Sequence, residues 1–97
     1  MNIENLIPVT TLSTHYQLEM PFFGHLSEMG LIEIQIIEET PYIHPDAIYE
    51  IEKIIRMHQE LEVNIEGIDV VLNLLEKIEA LQNELIAVKN RLRLYES

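Results

Sequence analysis

Cysteine is absent from the 97 residues, which removes any disulfide framework, thiolate metal site or thiol nucleophile. Positive charge is absent from the first 52 residues, since Lys53 is the first of only six Lys and Arg. No run approaches the roughly 18 consecutive apolar residues that a membrane span needs. Residues 1–20 contain no basic head followed by an apolar stretch, so neither a transmembrane helix nor a secretory signal is expected. The expected setting is the cytoplasm. The glycine-rich GxGxxG turn, the phosphate-binding GKS/T loop and the HExxH zinc motif are missing as well. His15, His25, His44 and His58 are scattered without an i, i+4 pair, so no metal site is expected from them. No catalytic constellation and no cofactor are expected, and the chain reads as a binding protein rather than an enzyme.

What is present is acid. Seventeen Asp and Glu against six bases give a net charge of −11, unevenly spread. Nine acids precede Lys53: Glu4, Glu19, Glu28, Glu33, Glu38, Glu39, Asp46, Glu50 and Glu52. From Lys53 onward eight acids face the six bases. The first half is therefore an anionic body that repels phosphate and attracts a basic protein surface. The apolar fraction of 47% is high enough for a packed core.

The elements follow from spacing. Residues 10–16 suit a short helix capped by Thr10 or Thr11, and 17–19 a tight turn. A second helix spans about 20–29, with Pro21 in its first turn and Gly24 inside it at a cost of about 1 kcal/mol relative to alanine. Phe22 and Phe23 are adjacent, so one is expected in the core and the other partly outside. Gly30 stands where a helix C-terminal glycine belongs. Leu31 to Ile37 reads as a strand with Ile32, Ile34 and Ile36 on one face, and Tyr42–Ile43 as its return strand, kept at an edge by Pro41. Pro45 opens a third helix with Asp46 in its first turn. Ile48, Ile51, Ile54, Ile55, His58 and Leu61 form its apolar stripe.

Asn64 is the expected cap of a long fourth helix from about 65 to 96. Along it Val71, Leu74, Ile78, Leu81, Leu85, Val88, Leu92 and Tyr95 alternate steps of three and four, an a/d heptad pattern. At 1.5 Å per residue the helix is roughly 48 Å long. The first half of the chain has too little apolar surface to cover it. The expected architecture is mainly α: a winged helix-turn-helix body over 1–64, and a C-terminal helix over 65–97 that forms a homodimeric coiled coil through Leu74, Ile78, Leu81, Leu85, Val88 and Leu92.

A winged helix-turn-helix suggests DNA. Its recognition element would be the second helix, which has no Arg, Lys, Asn or Gln to read base edges, and the wing carries no base either. No Lys or Arg in this half can neutralise phosphate, so DNA is not the expected partner. Glu38 and Glu39 at the hairpin tip, with Asp46 and Glu50 at the next helix start, form the expected partner-binding patch. His44-Pro45-Asp46 reproduces the J-domain tripeptide, but an acidic extended segment precedes it instead of a basic helix. It reads simply as a helix start.

Residues 6–96 resemble the chaperone modulator family CbpM, small MerR-like proteins. Gly30-Leu31-Ile32-Glu33 matches the segment that leaves the second helix in MerR-like chains, and Arg56-Met57-His58-Gln59-Glu60-Leu61 is similar to the end of the third CbpM helix. Most specific is Gly67-Ile68-Asp69-Val70-Val71-Leu72-Asn73-Leu74, like the family's G-I-x-V-x-L-x-L. Gln17 departs from the glycine that many relatives have in the first turn, and Pro21 and Gly24 are unusual. The resemblance implies binding to the J-domain of a DnaJ-like (CbpA-like) co-chaperone, which stops that domain from stimulating DnaK. The alternatives are a MerR-like DNA-binding regulator and a purely structural dimerisation module.

Overall fold

A computed structural model of the chain describes residues 5–96, so residues 1–4 of the body and Ser97 of the C-terminal helix lie outside the described residues. The order is β1 (Ile7–Pro8), α1 (Val9–Tyr16), α2 (Met20–Glu28), β2 (Gln35–Ile37), β3 (Thr40–Ile43), α3 (Ile48–Glu60) and α4 (Ile65–Glu96). The three strands form an antiparallel sheet in the order β1-β3-β2. The architecture is the expected mainly helical winged helix-turn-helix with a long C-terminal helix.

Four local expectations need correction. The first helix starts at Val9 with Pro8 as its N-cap and no side-chain cap, so neither Thr10 nor Thr11 serves that role. The reason is β1, which the sequence reading did not contain. It pairs Ile7 with Ile43 and Pro8 with Tyr42, so the chain enters α1 directly from a strand. β3 is therefore the central strand, not an edge. Pro41 is tolerated because β1 reaches only as far as Tyr42, leaving Pro41 flanked by β2 alone.

The strand expected from Leu31 is only Gln35–Ile37. Leu31 is used earlier, to close α2. Its N–H donates to the Leu26 carbonyl at 2.9 Å while Gly30 N–H donates to Ser27 at 3.0 Å, with Gly30 at φ 75°. That pair of bonds is a Schellman stop. It sends Ile32 into the core, whereas Ile36 is 72% exposed, so the three isoleucines do not share one face. The fourth correction concerns Leu61. It is the residue that ends α3, just before Glu62 turns the chain at φ 56°, and it is 68% exposed. His58 is half-buried instead of lying in the core, with its ring 4.6 Å from that of Phe22 and its Nδ1 donating to the Val63 carbonyl at 3.1 Å.

One core holds the body together, built from Val9 and Leu12 of α1, Phe23 and Leu26 of α2, Ile43 of β3, and Ile51, Ile54 and Ile55 of α3. Phe23 is fully buried and Phe22 half-buried, as adjacency on a helix requires. Pro45 to Ala47 form a 3₁₀ turn leading into α3, capped by His44 Nδ1, which accepts from Asp46 N–H at 3.1 Å. Asn64 caps α4 as expected, its Oδ1 accepting from Gly67 N–H at 2.7 Å. The first turns of α4 complete the core through Ile65 and Ile68, with Val71 and Leu72 packed on its rim. From Asn73 onward the helix projects from the body, and the molecule measures 60 × 34 × 21 Å.

Candidate functional site

Three surfaces carry the chemistry. The first is the face that α2 and the wing present. α2 is held by its Schellman stop and by Phe23 and Leu26 beneath it, and it exposes Met20, Pro21, His25 and Glu28. His25 Nε2 lies 3.8 Å from Glu66 Oε1 of α4. Between α2 and the wing runs a groove of about 280 Å³. Buried Phe23 and Val9 form its floor, Met20, Gly24 and Ser27 its α2 wall, and Ile34, Ile36 and Pro41 its wing wall. Sequence reasoning missed this groove, because it exists only where two elements distant in the pattern meet. The mid-helix Gly24 was its only trace in the sequence.

The second surface is the set of acids. Glu38 and Glu39 are exposed and form the two-residue tip between Ile37 and Thr40. Asp46 and Glu50 are exposed at the start of α3, beyond the opposite end of β3. The four residues of β3, roughly 13 Å of strand, separate the two pairs together with His44 and Pro45. The tip and the helix start are thus two patches. Asp46 Oδ2 sits 3.4 Å from His44 Nδ1. Glu50 Oε2 lies 3.6 Å from Lys53 Nζ, which ties up the first base of the chain. Both line a wider groove of about 540 Å³ between the end of α2 and α4, together with Asp69, Glu76 and Glu79.

Tyr16 closes α1 against α3. Its carbonyl accepts from Gln59 Nε2 at 2.8 Å. Burial, then the hydrogen bond and negative charge of Glu52, push its phenol above the ordinary tyrosine value. Among the described residues no group of three or more His, Cys, Asp or Glu is placed to hold a metal ion. Among them, too, no helix is long and apolar enough to cross a membrane.

The third surface is α4 beyond the body. Leu74, Ile78, Leu81, Leu85, Val88 and Leu92 are each between 47% and 63% exposed. Their side chains follow the heptad row, so the stripe is continuous over about five turns.

A search of curated proteins finds no match, and neither does a search of solved structures. The family model for MerR HTH family regulatory proteins matches residues 7–90, from β1 through most of α4. By fold, and by a match over most of its length, this chain belongs to the MerR family of helix-turn-helix regulatory proteins.

Proposed function

We propose that this chain is a chaperone modulator of the CbpM type. As a homodimer it binds the J-domain of a DnaJ-like co-chaperone and restrains that domain's action on DnaK, without being an enzyme. The observation that carries this reading is a winged helix-turn-helix whose recognition face has no Lys or Arg. DNA affinity scales with the phosphates that Lys and Arg neutralise. Here the first 52 residues offer none, and Lys53 is already paired with Glu50. J-domains present a basic helix to DnaK, and an anionic body is suited to compete for it. The Gly67-Ile68-Asp69 motif supports the same family, because it stands at the tightly packed start of α4 where the helix joins the core.

Dimerisation is part of the proposal. Six half-exposed seam positions on each of two helices would contribute roughly 9–18 kcal/mol on burial. Association costs about 4–15 kcal/mol. Acids crowd the start of α4 and Lys89, Arg91 and Arg93 its end, which favours an antiparallel pair. The alternative of a DNA-binding regulator has the family fold in its favour and the charge against it.

Calorimetry of the full chain with the J-domain of a DnaJ-like protein from the same genome tests the proposal. Binding is expected, with association slowing as salt rises. Reversing Glu38 and Glu39 together should weaken it more than reversing Glu79 and Glu84 on the coil. Sub-micromolar binding of duplex DNA at physiological salt, with no binding to any such J-domain, would establish the regulator instead.

A further inference from the structure

The groove between α2 and the wing contains a residue that the fold itself does not explain. Gly24 sits in the middle of α2, where glycine is less favourable than alanine. Glycine is kept inside a helix when its φ is positive or when a neighbour crowds the Cβ. Neither applies to Gly24, since a Cβ built on it meets nothing within 4 Å and its φ is not positive. The space that its missing side chain leaves open belongs to the groove. Opposite it stands Ile36, 72% exposed, on the strand residue paired with Pro41. Met20, 37% exposed, closes the α2 end.

The charge around this groove has one sign. Glu19 and Glu28 bracket α2, Glu33 precedes Ile34, and Glu38 and Glu39 hold the hairpin tip. No Lys or Arg occurs in the segment that builds the groove. An apolar slot with an acidic rim is complementary to a helix that has apolar residues on one face and lysine or arginine beside them.

We propose that the α2–wing groove is the docking site for a basic amphipathic helix, which approaches the bare backbone at Gly24 and seats its apolar side chains between Met20, Ile36 and Pro41. This deepens the function proposed above and rests on it for the partner, in which the helix is the basic one of the J-domain. The face that a DNA-binding relative would turn toward the duplex is then the face that turns toward protein. Apolar contact supplies the affinity, and the glutamates set the rate and the salt dependence.

Gly24→Leu tests this with two readouts of opposite sign. Leucine suits a helix better than glycine and fills the slot with the chain's own side chain, so the thermal midpoint should rise. Binding of the J-domain, measured by calorimetry on the full chain, should weaken by about tenfold or more. A stabilised protein that has lost binding has not lost it by misfolding. Ile36→Thr keeps the β-branched shape and the charge, and should weaken binding several-fold with the midpoint nearly unchanged. If both variants bind the J-domain as tightly as the parent, the groove assignment is overturned and the proposed function stands. If the parent binds no J-domain, a synthetic Leu/Lys amphipathic helix is titrated instead. Binding of that peptide that Gly24→Leu abolishes keeps the groove and rejects the J-domain. Failure of the peptide to bind overturns both, and so does a DNA duplex captured at this groove.

Discussion

A Cβ placed on Gly67 would lie 2.8 Å from Val63 Cγ1 and 3.0 Å from Asn64 Oδ1, the atom that caps α4. Alanine there must push either the cap or the valine aside. Gly67→Ala should therefore lower the thermal midpoint, although the same change in an open helix stabilises by about 0.5–1 kcal/mol. Gly24→Ala provides that open helix and should raise the midpoint by a few degrees. Thermal unfolding of the two variants beside the parent checks both signs. Tyr16 supplies a pH dependence. Its phenol is raised in the folded chain, so the neutral form is favoured by folding. That contribution is complete below the ordinary tyrosine value and is lost as pH rises through the folded one. Urea unfolding between about pH 9 and 11 should show stability falling with pH, and Tyr16→Phe should fall less steeply. At this scale some positions were legible and others were not. Asn64 before a periodic run, Gly30 after one, and Phe22 beside Phe23 declared themselves by position. Gln17, Glu38, Glu39 and Glu62 all adopt positive φ, and no property of glutamine or glutamate announces it.

The wing shows what that costs at the scale of an element. A two-residue hairpin with positive φ at both central positions is a type I′ turn, for which Asn-Gly is the favoured pair. Here Glu38 and Glu39 hold φ 50° and 67°. Left-handed backbone costs a residue other than glycine about 1 kcal/mol or more. Replacing the pair, Glu38→Asn with Glu39→Gly, should raise the midpoint by roughly 5–10 °C while slowing association with a basic partner. If the midpoint does not move, the turn is not strained. The strand boundaries were hidden for a related reason. Alternation predicts a strand from Leu31, but a helix stop claimed Leu31 and the core claimed Ile32 before any ladder formed. β1 is two residues long, below any period that a pattern can reveal. The helices were readable, because the stop of α2, the stripe of α3 and the cap and stripe of α4 are set by residue type and spacing alone.

For the whole molecule, α4 decides most. Its heptad row was plain in the sequence, since a stripe of that length has no competing local explanation. The α2–wing groove was not plain, because it depends on how far apart two elements settle. If the seam closes on a second copy, unfolding is coupled to association, and the midpoint rises with protein concentration. Leu81→Lys with Leu85→Lys should abolish that dependence and halve the mass at sedimentation equilibrium. The core residues Ile65 and Ile68 are untouched, so the body should remain folded. A parent chain that sediments as a monomer at tens of micromolar would reject the dimer. The distance at which α4 leaves its body then acquires a meaning of its own. With Leu74 of one helix against Leu92 of the other, the two exit points stand roughly 30 Å apart along the coil. The coil would act as a spacer that holds two grooves on one rigid particle. A partner with two basic helices spaced to match would meet its second groove at an effective concentration set by geometry, and would be retained far longer than a partner with one.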